Sequence, residues 1–113
     1  MRVILWRFKV QSGKEGEFEK AYGPGGAWDV LFRRGEGFLG TELLRPAGST
    51  RDYVTIDRWR SEDAFEAFLR DHKAAYTTLD AQLESLTVRE SPVGTFSSEA
   101  GPPDRADLAA DKR

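Results

Sequence analysis

The chain has 113 residues, of which 39% are hydrophobic and 12% aromatic, enough for one domain with a real core but not for two. Its 17 basic and 19 acidic residues give a formal net charge of -2, so it has no broad basic field to hold a nucleic acid. Cysteine is absent, which excludes disulfides, thiolate nucleophiles and thiolate metal sites. We therefore expect a cytoplasmic protein without a nucleic-acid partner.

The first predicted element is a strand from Val3 to Val10, whose side chains alternate between two faces. One face carries Ile4, Trp6, Phe8 and Val10, and the other carries Val3, Leu5, Arg7 and Lys9. The apolar run is too short to span a membrane, and no export-signal cleavage site follows it. We expect no membrane partner.

Two short helices are predicted next. Ser12 and Glu15 have capping-box spacing, which predicts a helix start and burial of Phe18 and Tyr22. A glycine- and proline-rich run over 23–26 ends this helix. A second short helix is predicted over 27–34, with an inner face of Trp28, Leu31 and Phe32.

Residues 38–45 and 53–59 are predicted to form an antiparallel hairpin, since a turn-rich segment joins two strand-like runs. Ser61 is a good helix N-cap, and an apolar stripe with steps of three and four follows from Phe65 to Leu86. That stripe is too long for one helix, so we expect a kink over 73–77.

The last predicted strand, 86–96, contains Ser91 and Pro92, and its proline places it at a sheet edge or bulge. The order is then β-α-β-β-α-β, which predicts an α+β, ferredoxin-like domain over 1–96 with a four-stranded antiparallel sheet. The polar segment 97–113 is predicted to be a flexible tail, because it has too little apolar surface to offset the entropy of ordering.

Such a sheet has helices on one face only, yet the first strand is apolar on both faces. The chain has no third layer to cover the second face, so a second copy is the simplest cover. We predict a homodimer in which the two sheets pack face to face.

The element order, the strand 37–44 and the run Ile56–Trp59 leading into Ser61–Phe65 resemble the antibiotic biosynthesis monooxygenase family of dimeric α/β barrels. The resemblance covers about residues 1–96. It implies oxygenation of an electron-rich aromatic such as a quinol, an anthrone or a polyketide-like compound, without metal, flavin or other cofactor.

Two further features of the sequence argue against a dinucleotide site and a metal site. Gly35–Gly40 spells G-x-G-x-x-G, but a helix precedes it and a strand follows, the reverse of a dinucleotide site. One histidine and no cysteine make a metal site unfavourable, and no histidine-pair spacing appears.

The candidate site residues are mostly aromatic. We predict His72 and Tyr76 as catalytic groups, with the alternative that His72 is only a hydrogen-bonded helix-end residue. Arg7 and Arg58 have the same two possible roles. Each either holds a ligand anion or forms an ion pair with Asp57 or Glu42. Flat side chains suit a flat ligand. The predicted substrate-binding residues are Trp6, Arg7, Trp28, Phe32, Trp59 and Phe68.

Haem degradation, another activity of the family, uses an asparagine, a tryptophan and a histidine. The chain has no asparagine, Phe68 stands in the tryptophan position, and Thr77 and Thr78 fall where the histidine would be. This activity is therefore not expected. The remaining alternatives are a non-catalytic dimer that binds a small hydrophobic ligand and a cofactor-free isomerase or cyclase.

Overall fold

The computed structural model describes residues 1–98, so the predicted tail lies outside the described residues apart from Ser97 and Ser98. The strands are β1 (Arg2–Val10), β2 (Phe38–Leu44), β3 (Asp52–Trp59) and β4 (Thr87–Ser97). The helices are α1 (Glu15–Tyr22), α2 (Ala27–Phe32), α3 (Glu62–Asp71) and α4 (Lys73–Leu83), and a 3₁₀ turn, Glu84–Leu86, follows α4. The predicted α+β, ferredoxin-like order is confirmed, with each helical region divided into two helices.

The four strands form one antiparallel sheet in the order β2-β3-β1-β4. In the central pair, Ile4 lies opposite Asp57 and Trp6 lies opposite Thr55. β4 is an edge strand, as its proline predicts, and its register shifts between the partners of Leu5 and Trp6, where Pro92 pairs with Trp6.

The helices cover one face of this sheet, and the core lies between the two layers. Trp59, Phe18, Phe68 and Val10 are its most deeply buried side chains. The predicted inward residues of the first two helices are all buried, namely Phe18, Tyr22, Trp28, Leu31 and Phe32. Among residues 1–98, no helix is long and apolar enough to cross a bilayer.

The two predicted helix starts have different outcomes. Ser61 Oγ accepts a hydrogen bond from the Ala64 N–H at 3.1 Å, which confirms it as the N-cap of α3. The Ser12 capping box is wrong, because α1 begins only at Glu15, after Lys14, and no side chain caps it. Gly13 has a φ of 85° and the Lys14 N–H donates to the Gln11 carbonyl, so a tight turn occupies the predicted cap.

The predicted kink is a complete break between α3 and α4 at His72, one residue before the expected range. The backbone of His72 has φ -125° and ψ 26°, outside the helical region, while its N–H still donates to the Phe68 carbonyl at 2.9 Å.

The glycines of the G-x-G-x-x-G motif close the connection from α2 to β2. Gly35 donates its N–H to the Phe32 carbonyl at 2.9 Å and packs against Trp59 and Phe68. Gly37 has a φ of 96°, a conformation that other residues rarely adopt. The motif therefore has a packing role here, and a strand rather than a helix follows it.

The second face of the sheet carries apolar side chains, as predicted from the first strand. They are Val3 and Leu5 on β1, Leu44 on β2, Val54 and Ile56 on β3, and Phe96 on β4. Leu44 is 43% exposed and Phe96 is 51% exposed. No helix within residues 1–98 packs on this face, which we call the open face.

The fit of Gly35 generates a stability prediction. A Cβ at this position would lie 2.9 Å from both the Trp59 and the Phe68 rings, so Gly35→Ala forces buried aromatic side chains apart. We expect a loss of about 1–3 kcal/mol in the free energy of unfolding, measured in urea.

Gly16→Ala is the matched control, because a Cβ there meets nothing within 4 Å and α1 gains a better helix former. It should be neutral or stabilising by about 0.5 kcal/mol. Equal stability of the two variants would contradict the tight packing of Gly35.

Candidate active site

A cavity of about 170 Å³ lies between the sheet and the helices. The sheet contributes Ile4, Trp6, Phe8, Thr41, Thr55, Asp57, Trp59 and Glu90 to its lining. The helices contribute Tyr22, Trp28, Phe32, Phe65, Tyr76 and Asp80. Strand alternation explains the first set, because residues two apart on β1 and on β3 point to the same side.

Aromatic rings make up most of the cavity wall and support one another. Trp28 contacts Phe32 and Tyr76, with ring centroids 5.5 Å and 5.0 Å apart. Phe32 in turn meets the edge of Trp59 at 5.8 Å. These pairs fix the flat faces of the wall, and such a wall suits a flat aromatic ligand.

Asp57 is the carboxylate at the inner end of the cavity. Its Oδ1 accepts a hydrogen bond from Thr41 Oγ1 at 2.6 Å. Burial raises the pKa of Asp57 to about 6, an effect that the Thr41 hydrogen bond opposes and the charge of Asp29 reinforces. Asp57 therefore takes up and releases a proton near neutral pH.

Arg58 does not neutralise Asp57, although the two residues are adjacent in the chain. Arg58 lies on the open face, where its Nη1 contacts Glu42 Oε1 at 3.1 Å. Of the two partners considered for Arg58 from sequence, the structure selects Glu42.

The outer end of the cavity carries Tyr76, Asp80 and Glu90. Asp80 and Glu90 are both exposed, so they mark the mouth. Partial burial raises the pKa of Glu90, and the charge of Asp80 raises it further. Burial raises the pKa of Tyr76 as well, with added contributions from Asp80, Asp57 and Glu90. The phenol of Tyr76 therefore stays protonated and is able to donate a hydrogen bond.

The structure brings most of the predicted site residues together. Trp6, Trp28, Phe32, Trp59 and Tyr76 all line the cavity. Phe68 does not line it, because it is buried in the core behind the wall, where its ring contacts Phe32 at 5.4 Å and Trp59 at 5.2 Å.

His72 and Arg7 lie away from the cavity. His72 sits at the break between α3 and α4, where its ring stacks on Phe68 with centroids 5.2 Å apart. Arg7 is exposed on the open face, opposite Val54 and Ser91, because it alternates with the inward-facing Trp6 and Phe8. Neither side chain lines the cavity.

Sequence reasoning missed the polar groups of the cavity, namely Thr41, Thr55, Asp57, Asp80 and Glu90. For Asp57 the signal was available, since it lies two residues before Trp59 on the same strand and must share its face. The described residues contain no cluster of three or more histidine, cysteine or acidic side chains arranged to hold a metal ion.

Comparison with solved structures identifies relatives of the same fold. SnoaB from Streptomyces nogalater, a cofactor-independent oxygenase, is 27% identical with a TM-score of 0.70, over 91% of this chain and 97% of SnoaB. The heme-degrader MhuD from Mycobacterium tuberculosis, with two hemes bound, is 23% identical with a TM-score of 0.65, over 91% of this chain and 100% of MhuD. No curated protein sequence matches the chain significantly.

A family model described as antibiotic biosynthesis monooxygenase matches residues 1–76. The match contains α1, α2, most of the sheet and the strand end that carries Asp57 and Trp59. Because it spans more than half of the sequence, the chain belongs to the antibiotic biosynthesis monooxygenase family.

Proposed function

We propose that the protein is a cofactor-independent monooxygenase that acts on a small electron-rich aromatic such as a quinol, an anthrone or a polyketide-like compound. The observation that carries this proposal is the placement of one proton-accepting carboxylate, Asp57, at the inner end of a cavity walled by aromatic rings. Family membership and the likeness to SnoaB support the same activity. A cytoplasmic location, as expected from the lack of cysteine, is part of the proposal.

The chemistry asks the protein for a base rather than for an electron carrier. Asp57 accepts the proton of a phenolic hydroxyl, and the resulting phenolate passes an electron to O₂. The radical pair combines at a ring carbon that still carries hydrogen, ortho or para to this oxygen, and the proton returns from Asp57 to give a hydroperoxide. Loss of water, which takes the hydrogen of that carbon, then leaves a quinone, so one oxygen atom enters the ring, the other becomes water, and the ring supplies all four electrons.

Thr41 and Tyr76 assist this sequence in the proposal. The Thr41 hydrogen bond, at 2.6 Å, holds the Asp57 carboxylate in one orientation. Tyr76 remains protonated and offers a hydrogen bond to the developing oxyanion or peroxide. The surrounding rings shield the inner end of the cavity, with Asp57 and Thr41, from water more than the outer end, where Tyr76 lies.

Oxygen uptake with a panel of quinols, anthrones and related phenols tests the activity. We expect turnover by the wild-type protein and a loss of at least 100-fold in Asp57→Asn, because a positioned base contributes about that much. Tyr76→Phe should lower the rate by a smaller factor, whereas His72→Ala should change it less than twofold, since His72 lies outside the cavity.

Asp52→Asn is the matched control. Asp52 also lies on β3, but its carboxylate contacts Lys9 Nζ at 3.6 Å outside the cavity, so the rate should be unchanged. Full activity in Asp57→Asn would refute the role of Asp57. Ligand binding without oxygen uptake across the panel would instead favour a non-catalytic binding protein.

The pKa of Asp57 also predicts a pH dependence. Only the ionised carboxylate accepts a proton, so kcat/KM should rise as the pH passes upward through about 6. The groups that act on Asp57 are Thr41 on β2 and Asp29 on α2. Asp57 in turn raises the pKa of Tyr76 on α4. A profile that is flat between about pH 5 and about pH 7, roughly one pH unit on each side of the predicted midpoint, would contradict this assignment.

The raised pKa of Asp57 also predicts a pH dependence of the free energy of unfolding, which is measured without an activity assay. Because folding raises the pKa of Asp57, ionisation of its carboxyl costs stability, and this cost develops as the pH rises from the ordinary aspartate pKa of 3.8 through about 6. We compare the free energy of unfolding of Asp57→Asn with that of the wild-type protein. The difference should favour the variant by on the order of 2 kcal/mol more at high pH than at low pH. Urea unfolding at the two pH values measures it.

We also propose that the protein is a homodimer that buries the open face. A twofold axis through this face lets the apolar side chains of one copy cover those of the other. Ile56 lies near the centre, opposite Leu5 on β1 and Glu42 on β2. The open face also carries charged side chains, such as Arg7 and Arg58, at fixed positions among the apolar ones.

Ile56→Glu tests the dimer. A carboxylate at the centre of the buried face should shift sedimentation from dimer to monomer at micromolar concentration, because an unpaired buried charge is costly. Val30→Glu is the control, since Val30 is 57% exposed on α2, on the helical side. A wild-type monomer would refute the proposal.

A further inference from the structure

The charged groups that line the cavity all have the same sign. They are Asp57, Asp80 and Glu90, and no lysine, arginine or histidine of the described residues lines it. The arginine candidates from sequence, Arg7 and Arg58, lie on the opposite side of the sheet, and His72 does not line the cavity. A ligand with its own negative charge would enter this cavity against repulsion, whereas a positive charge would be attracted.

The carboxylates occupy two separate ends of the cavity. Asp57 lies beside Ile4, and Glu90 lies beside Phe8 on the other flank of β1. Four residues along a strand correspond to about 13 Å, with Trp6 in the middle. A molecule that meets Asp57 with one end therefore presents its other end to Glu90 and Asp80.

The walls between these ends favour a cation as well. The aromatic side chains of Trp6, Trp28 and Tyr76 line the same cavity as the carboxylates. Aromatic faces, and indole above all, attract a positively charged nitrogen. The aromatic walls and the acidic mouth thus both favour a ligand with a positively charged nitrogen.

The inner end offers a hydrogen-bond donor in addition to Asp57. The indole Nε1 of Trp59 is buried and has no partner among the described residues, while the Trp59 side chain lines the cavity. A buried donor without an acceptor is costly, and a ligand oxygen is a suitable acceptor. This observation is independent of the charges and points to an oxygen substituent on the ligand.

The volume limits the size of the ring system. A cavity of about 150 Å³ accepts benzene, and pockets that bind drug-sized ligands measure roughly 300–1,000 Å³. At about 170 Å³, this cavity fits one or two rings, which narrows the proposed substrates to quinols and related phenols and leaves out three-ring anthrones.

Building on the proposed oxygenation, we propose that the substrate is a one- or two-ring phenol or quinol that carries a protonated amine. Its hydroxyl lies against Asp57 and Trp59, its ring lies against Trp6 and Trp28, and its ammonium group lies between Asp80 and Glu90. Acidic aromatics of the same size are excluded by charge. The amine side chain thus sets the orientation of the ring.

Binding of three matched probes tests this proposal. Aminoethylhydroquinone, its N-acetyl derivative and hydroquinone acetic acid share one ring but carry a positive, a neutral and a negative side chain. Titration without oxygen, followed by tryptophan fluorescence, should show the amine binding about tenfold more tightly than the neutral probe, and the acid binding most weakly. High salt should reduce the preference, because the mouth is exposed.

The double variant Asp80→Asn with Glu90→Gln should abolish this preference while still binding the neutral probe. Glu66→Gln with Asp71→Asn removes the same charge from exposed positions on α3 outside the cavity, so the preference should persist. Equal binding of the three probes to the wild-type protein would overturn the proposal, as would a preference that survives in the Asp80 and Glu90 variant.

Oxygen uptake with the same amine separates this inference from the proposed function. A clear preference for the amine without uptake supports the ligand class and refutes oxygenation of this ligand. Uptake with the neutral or acidic probe at the rate of the amine supports oxygenation and refutes the ligand class.

Discussion

The burial of Trp59 is the packing interaction on which the rest of the molecule depends. Its ring, fully enclosed at the end of β3, contacts Phe32, Phe38, Phe65 and Phe68 at centroid distances of 5.0–5.8 Å. Through these contacts one side chain holds α2 and α3 against β2 and β3. A buried aromatic of this size contributes several kcal/mol, a large share of the net stability of a small domain. It also fixes one wall of the cavity.

Asp57 occupies the same strand face as Trp59, and this position explains both its reactivity and its energetic cost. The apolar surroundings that favour folding disfavour a negative charge, so its pKa rises to about 6. A single hydroxyl, that of Thr41, compensates in part. Proteins often accept such a local loss of stability where a proton must move, because a fully solvated carboxylate would be a weaker base near neutral pH.

Patterns of alternation and helical spacing were sufficient to predict the strands, the buried faces of the helices and most of the aromatic wall. These patterns did not predict which polar side chains line the cavity, because that depends on packing between the helices and the sheet. His72 shares a helical stripe with Phe68 and Tyr76, but its ring stacks on Phe68 and does not line the cavity. The sequence offers Asp57 as an ion-pair partner of Arg58, but consecutive strand residues face opposite sides of the sheet, so the two side chains are separated. The Ser12 cap failed for a local reason, the turn at Gly13.

The irregular outer strand β4 has a consequence for how copies of the chain associate. Pro92 lacks a backbone donor, and the register of β4 slips twice against β1, so its outer edge is an uneven template. A foreign strand that approached this edge would not find a continuous ladder of donors and acceptors. Edge-to-edge growth into filaments is thereby discouraged, which is a safeguard for a small protein whose sheet is otherwise rich in exposed valine, leucine and phenylalanine.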